Sequence, residues 1–419
     1  MNINFDKNTM LTKILAFSMC LIVLSSQSIY ELTSWGKYLK IIMLGLSFLL
    51  GLLSIFDMKT TGKKNGMFVF LIFLIYILIL YIINAYNLGQ NGKSFLVAYL
   101  TLTFMYLYFC YNKLEQKDHS YLLKSLTNII IFFASLSLIM WLMISVWGLI
   151  QPTQFIELNW GNPHYIPSYF HLYFETQNVS FGSLVFMRNT WIYPEAPIFS
   201  FVLSFALIYR SFIENQKITS KKSVILMTTI VTTGSSTGFI VLAIIVFTKI
   251  SIYFKKFGRI FFLVTGISVI GILLTVIYLV VKQKFVNNQS SLNVRLEDIV
   301  IGFQSLKAHP FIGNGYGNYS VLLEKMTPER LTLNGNAGFS SGLSLIAAYG
   351  GILLLLIYLV PIIKGSIIGI KENINLLFFS LTIFFLLLTT IIQTNFIILM
   401  VLPFLLNLNE KIKKRENTL

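Results

Sequence analysis

Long apolar runs broken by short polar turns repeat along the whole chain. They fall near 12–30, 38–56, 67–86, 94–111, 126–150, 195–213, 223–234, 236–254, 259–281, 341–363, 374–391 and 394–408. Most are close to the ~20 residues that a membrane-crossing helix takes. The pattern predicts about twelve transmembrane helices. Two of the boundaries are set by polar punctuation. The stretch 223–254 is too long for one helix, and Thr232-Thr233-Gly234-Ser235-Ser236-Thr237-Gly238 offers a turn inside it. The stretch 374–408 divides at Gln393-Thr394-Asn395. The short 223–234 run is expected as a broken or partly buried helix, which a bundle tolerates when neighbours satisfy its backbone.

Composition agrees with this pattern and narrows it. Of 419 residues, 56% are hydrophobic and 11% charged, against about 25% charged in a soluble domain. A soluble enzyme, a disordered tail and a coiled coil are excluded. We expect an all-α polytopic membrane protein, with residues 1–419 forming a single integral membrane domain. The apolar run after Lys7 and Lys13 has no small-residue cleavage site behind it, so it is expected to stay as the first span. Cys20 and Cys110 lie in apolar segments and make neither a disulfide framework nor a metal cluster.

The net charge of +16 has a topological origin. With twelve spans, 22 of the 32 Lys and Arg fall on the side of the two termini, and 10 fall on the other. Each side carries 8 acidic residues, giving +14 against +2. The positive-inside rule then makes both termini cytoplasmic. No nucleic-acid partner is needed to explain the charge. Two connections on the outer side are long, 151–193 and 282–340. Loops of that length are usually functional.

The first outer loop is crowded with aromatics, which pack on sugar rings or sit at a membrane surface. Trp191 and Tyr193 lie close to Arg188, the one basic residue of that loop, and are candidate sugar platforms. Glu195 follows in Pro194-Glu195-Ala196-Pro197, where the sixth span opens. A carboxylate there faces the positive end of a helix dipole and can also take a proton from a hydroxyl. In the second loop, Leu296, Ile299, Val300, Phe303 and Leu306 recur at helical spacing from Asn293 to about Lys307. An amphipathic helix lying on the membrane or the bundle is predicted. Arg295, expected in its first turn, opposes the helix dipole, and a guanidinium suits bidentate phosphate binding. Pro310 ends the helix, and Gly313, Gly315 and Gly317 mark a turn. His309, beside that Pro, is a candidate donor or proton carrier. There is no HExxH, no CxxC pair and no Asp-x-Asp, so no metal or cofactor is expected. Almost no charge lies within the spans, which argues against an ion-coupled transporter.

In order, these features resemble the bacterial Wzy-type O-antigen and capsular polysaccharide polymerases and the related O-antigen ligases. The resemblance covers the whole topology. It is carried by Arg188 ahead of Pro194-Glu195-Ala196-Pro197, by the turn at 232–238, and by Arg295 followed by Lys307-Ala308-His309-Pro310-Phe311-Ile312-Gly313-Asn314-Gly315. Leu343 and Gly350 follow, in a helix that opens after the long loop. The resemblance implies a helical bundle like that of C-type glycosyltransferases, in the bacterial inner membrane with its site facing outward. It implies a metal-independent glycosyltransferase that uses undecaprenyl-diphosphate-linked repeat units as donor and acceptor. Arg188 and Arg295 would clamp the diphosphate and Glu195 would be the general base. Trp191, Tyr193 and His309 would contact substrate, and a chain-length regulator would be a partner. Ligases typically carry a histidine four residues before the leucine matching Leu343. Phe339 stands there, which favours polymerase over ligase. The alternative from another class is a flippase of lipid-linked sugars.

Overall fold

A helix that is apolar all round is stable only where lipid or other helices surround it. The computed structural model describes residues 7–61, 65–112, 114–115, 120–158, 164–181, 184–254, 289–332 and 338–408. The helices are α1 (Lys7–Leu24), α2 (Ile29–Leu32), α3 (Gly36–Thr61), α4 (Asn65–Leu80), α5 (Gly92–Tyr111), α6 (Tyr121–Trp141), α7 (Ala196–Ile208), α8 (Lys221–Thr232) and α9 (Ser236–Phe254). They continue with α10 (Gln289–Ala308), α11 (Ser320–Leu323), α12 (Pro328–Thr332), α13 (Gly342–Lys371), α14 (Ile374–Thr389) and α15 (Phe396–Asn407). Wider π-helical turns extend α4 to Tyr86, α6 to Val146 and α7 to Ile213.

Among the described residues, six helices are long and apolar enough to cross a membrane. They are Gly36–Met58, Asn65–Tyr86, Gly92–Tyr111, Tyr121–Val146, Ala196–Ile213 and Gly342–Lys371. The protein is therefore a mostly helical, multi-pass membrane protein. Shorter apolar helices accompany the six at Thr9–Leu24, Ser236–Ile250, Ile374–Thr389 and Phe396–Asn407. The short helix expected at 223–234 is α8, 12 residues long. The turn at 232–238 separates it from α9 as the polar run suggests. The expected span 259–281 lies outside the described residues.

The chain divides into two compact units. The first comprises Met1–Ile130, Val300–Met326 and Ser341–Leu419. The second comprises Ile131–Ile299 and Thr327–Ser340.

In the first unit α5 packs against α3, α4 and α15, and α13 packs against α14 and α15. Tyr99, Tyr108, Tyr111 and Phe95 on α5 are fully buried. The tyrosine hydroxyls need partners in an apolar interior, and Tyr99 meets Tyr358 of α13 at 2.9 Å. Tyr358 in turn donates to the Gln393 carbonyl at 2.9 Å. The helix α13 kinks at Gly351, with φ +58°. A kink frees backbone groups that the apolar surroundings cannot satisfy. The segment after Pro310 supplies their partners. Ile352 N–H donates to the Pro310 carbonyl at 2.8 Å, and Leu353 N–H to Phe311 at 3.2 Å. In return Asn314 N–H donates to Ala348 at 2.9 Å and Gly315 N–H to Tyr349 at 3.0 Å. Asn84, in the π-helical turn after α4, donates to the carbonyls of Ile312 and Tyr349. Gly317 has φ +77°, and a Cβ there would fall 2.6 Å from Asn91 Nδ2. The glycine-rich turn is thus the plug that closes the kink.

The second unit holds α7, α8 and α9, and the first long loop. That loop is not irregular. Strands β1 (Gln154–Leu158), β2 (His164–Tyr169) and β3 (Tyr173–Phe174) form one antiparallel sheet, with Ile156 opposite Ile166 and Tyr169 opposite Tyr173. Strands β4 (Asn178–Phe181) and β5 (Leu184–Met187) form a hairpin, with Val179 opposite Phe186. The aromatic-rich sequence alternates as strands do: Tyr165 is exposed and Ile166 buried. Trp141 Nε1 donates to the Met187 carbonyl at 2.8 Å and ties the hairpin to the end of α6.

Candidate functional site

Arg188 follows directly after β5, and its position is fixed from three directions. Its backbone N–H donates to the Gln177 carbonyl at 3.0 Å, at the mouth of the hairpin. The neighbouring Asn189 binds Thr232 through backbone, at 3.0 Å, and through side chain, at 3.2 Å. The guanidinium Nε donates to the Thr233 carbonyl at 2.7 Å, and Nη1 donates to Gln177 Oε1 at 3.3 Å. The turn between α8 and α9 therefore exists, in part, to hold this arginine. Gly234 makes that turn possible, since its φ is +58°, a left-handed conformation that other residues adopt only with strain.

A guanidinium has five N–H donors. These two bonds use two of them and leave three. Arg188 lines a polar cleft of about 340 Å³ with Glu175, Thr176, Gln177, Asn178 and Met187. Glu175 accepts from Ser145 at 2.8 Å and from Tyr169 at 2.7 Å. Burial lowers the Arg188 guanidinium to about 10, with the Glu195 carboxylate opposing the shift. It stays charged at neutral pH.

Glu195 is the N-cap residue of α7, with Pro197 in the first turn. Its side chain makes no hydrogen bond back to the helix it opens. Gln177 Oε1 does that instead, accepting from Ala196 N–H at 3.0 Å. One glutamine oxygen thus joins Arg188 to the start of α7. The Glu195 carboxylate acts electrostatically on Arg188 and also on Arg295. The structure brings the three charged residues expected at the site into one electrostatic group, within the second unit.

Arg295 lies on α10, which begins at Gln289. The arginine is therefore in the second helical turn, not the first. Burial lowers its pKa, opposed by Asp298 and Glu195. Its unexpected neighbours are acidic. Asp298 is fully buried. Burial raises its carboxyl above the ordinary range against the pull of Ser340 and Arg330. Ser340 donates to Asp298 Oδ2 through its N–H at 2.7 Å and its hydroxyl at 2.5 Å. The buried Arg330 lies 2.8 Å from Asp298 Oδ1 and 3.4 Å from Glu297 Oε2. Glu297 Oε1 also accepts from Thr327 N–H at 2.7 Å. These contacts fasten the segments around Thr327 and Ser340 onto α10, beside Arg295. On the same helix Leu296, Ile299, Val300 and Phe303 are exposed. The expected apolar stripe points outward, as a helix lying against lipid requires.

The remaining expected residues fall elsewhere. Trp191 is 5% exposed and Tyr193 not at all. Trp191 packs on Phe133 at 4.9 Å between ring centroids, and Tyr193 stacks on Phe199 of α7 at 5.6 Å. Neither ring offers a free face to a sugar in this arrangement. Both hold the backbone between Arg188 and Glu195, and the Trp191 carbonyl accepts from Phe174 N–H at 2.9 Å. His309 is exposed at the end of α10 and belongs to the first unit. Its carbonyl accepts from Gly313 N–H at 3.0 Å, the contact of a turn residue.

Sequence reasoning missed Gln177, Glu175, Asp298 and Arg330. Asp298 had a local signal, since it lies one helical turn after Arg295. Gln177 and Arg330 had none, because their roles arise from partners distant in sequence. Chemically, an arginine on the wall of a polar cleft suits an anionic ligand, and the Glu195 carboxylate that acts on both arginines suits a proton transfer. No group of His, Cys, Asp and Glu able to hold a metal ion occurs among the described residues. No protein family matches the chain by its sequence profile, and no curated protein matches it in sequence.

Proposed function

We propose that this membrane protein is a polymerase of surface polysaccharide. It joins undecaprenyl-diphosphate-linked repeat units on the outer face of the bacterial inner membrane, both substrates entering from the bilayer. The observation that supports this reading is the shared electrostatic environment of Arg188 and Arg295. Each comes from one of the two long outer loops, and one carboxylate, Glu195, acts on both.

In this reading the bond from the donor's anomeric carbon to the diphosphate oxygen breaks. Its electron pair leaves with the diphosphate. The acceptor hydroxyl oxygen bonds to the anomeric carbon and gives its proton to Glu195. Positive charge builds on the sugar ring and negative charge on the leaving oxygen. Preorganised arginine donors stabilise that leaving charge in the transition state. The three N–H groups left on Arg188 suit bidentate contact with phosphate oxygens. Asp298, held by Arg330 and Ser340, acts electrostatically on Arg295. The outward apolar stripe of α10 rests against lipid near the point where an undecaprenyl chain would enter.

The test is a deletion of the gene in its own host, with the surface polysaccharide run on a gel. Complementation uses wild type, Arg188→Ala and Arg295→Ala. Collapse of the ladder to single repeat units, restored by wild type alone, is the expected result. Long chains retained on the lipid carrier would mean a ligase. Repeat units held on the cytoplasmic face would mean a flippase, and the assignment of Arg188, Arg295 and Glu195 would fall.

A further inference from the structure

The turn between β2 and β3, in the second unit, has a conformation that its sequence does not favour. Leu172 N–H donates to the Tyr169 carbonyl at 3.0 Å and closes a tight hairpin turn. The two central residues, Phe170 and His171, have φ of +54° and +55°. Turns of this kind ordinarily use Gly, Asn or Asp, because a side chain at positive φ crowds its own backbone. A bulky ring there is an outlier. Such strain persists only where the surroundings enforce it, and it points to a use for the residue so held. Here the surroundings do enforce it. Phe170 N–H donates to Thr153 Oγ1 at 3.0 Å, and Gln154 Nε2 donates to His171 Nε2 at 2.6 Å. Yet Phe170 is 59% exposed and Leu172 49%. A tightly held turn displays two apolar side chains outward.

Hydrogen bonds at the base of the turn fix its level against the bilayer. The Tyr173 hydroxyl meets Ser145 Oγ at 3.0 Å. Ser145 and Tyr169 both donate to Glu175, at 2.8 Å and 2.7 Å. Ser145 lies in the last turn of the apolar helix Tyr121–Val146, one of the six able to cross a membrane. Both ends of the turn are therefore tied, through tyrosine side chains, to the end of a membrane helix. The polar headgroup layer at that end is about 5–8 Å deep. Apolar exposure continues from the helix into the chain that follows it, at Val146, Trp147 and Leu149. From Tyr165 to Phe174 there is no Asp, Glu, Lys or Arg. The surface that the turn meets is thus met by apolar transfer and not by charge.

We propose that the β2–β3 turn is a lipid-surface anchor. Phe170 and Leu172 insert into the headgroup layer beside the end of α6, where apolar and aromatic side chains gain from leaving water, and they hold the sheet against the bilayer. The anchor does not depend on the transfer chemistry. If that chemistry is as proposed, the anchor keeps the Arg188 cleft, joined to the turn through Glu175, at the level of a lipid-linked substrate.

The test uses the purified full chain in phosphatidylcholine nanodiscs, with a nitroxide spin label on Leu172→Cys and, as the water-facing control, on Glu157→Cys, an exposed strand residue. The native Cys20 and Cys110 are buried, and the unsubstituted chain gives the background. Collisions with oxygen, which concentrates in the bilayer, are compared with collisions with a water-soluble nickel chelate. The label at 172 is expected to show a several-fold higher oxygen-to-nickel ratio than the label at 157. Phe170→Gly relieves the left-handed strain, so it should keep or raise the unfolding temperature while lowering the ratio at 172 toward the control. Phe170→Asn, which also favours the turn, carries the same test if the glycine variant fails to accumulate. A ratio at 172 equal to the control would mean that the turn faces water. Exclusion of both reagents would mean that protein covers it. An unchanged ratio in both Phe170 variants would make that ring a packing residue. Each of these would overturn the proposal, and none involves sugar transfer, so failure of the transfer reading stays separate.

Discussion

If Arg188 and Arg295 hold the same leaving diphosphate, their removals should not act independently. Arg188→Lys keeps the charge but gives up the planar fork. Its single ammonium cannot reproduce the 2.7 Å bond to Thr233 and the 3.3 Å bond to Gln177 and still offer a paired contact to phosphate. Loss of one preorganised donor to a developing oxyanion lowers turnover by about 10²–10³. We expect losses of that order for Arg188→Lys and for Arg295→Gln. The double variant should fall short of the product of the two by roughly tenfold, a coupling of about 1.4 kcal/mol, within the range for residues sharing a partner. The assay is chain elongation by purified protein in liposomes. Lipid-linked single repeat units, extracted from the deletion strain, serve as substrate. Thermal unfolding of each variant separates a chemical loss from a folding loss. Strictly multiplicative effects would show that the two arginines act on different events, and wild-type elongation by either single variant would remove that residue from the mechanism.

Other outcomes follow from the same contacts. Glu195→Gln should keep the protein folded and lower elongation by about 10² or more, the usual contribution of a general base; an unchanged rate would leave Glu195 as electrostatic support alone. Burial raises the Asp298 carboxyl, so the folded state holds that proton more tightly than the unfolded chain. Its contribution to stability should be full at a pH below the ordinary carboxylate range and decline as pH rises through the raised value. Asp298→Asn should flatten the part of the unfolding-temperature profile above the ordinary carboxylate range, and a slope identical to wild type would refute the assignment. Gly234→Ala forces a side chain into a left-handed backbone and should cost about 1–2 kcal/mol, seen as a lower unfolding temperature together with reduced elongation. Trp191→Ala should lower membrane accumulation, as loss of a buried ring costs about 3–5 kcal/mol. Trp191→Phe should restore it with normal substrate affinity, whereas a tenfold weaker affinity with full accumulation would mean the indole does touch substrate.

Several parts of the candidate site are legible in the sequence. Arg188, Glu195 and Arg295 stood out because a charge is rare and costly in so apolar a chain. The split at 232–238 was legible because seven polar or small residues interrupt an apolar run. The β-structure of the first long loop was not. Its aromatics carry the same composition as a membrane-surface belt, and only pairing shows that Tyr165 and Ile166 face opposite ways. The roles of Trp191 and Tyr193 were hidden for a similar reason. A ring near a functional residue reads the same in sequence whether its face meets sugar or Phe199.

The sequence by itself determined the environment of this protein. Apolar length and the scarcity of charge dictate helices in a membrane, because hydrophobic transfer and backbone hydrogen bonding act locally and periodically along a chain. Only the tertiary structure decided which groups meet. Gln177 joins Arg188 to the start of α7, Arg330 pairs with Asp298 from 32 residues away, and the segment after Pro310 fills the kink at Gly351. Such contacts depend on how buried polar groups far apart in sequence satisfy one another, and local periodicity carries no record of that pairing.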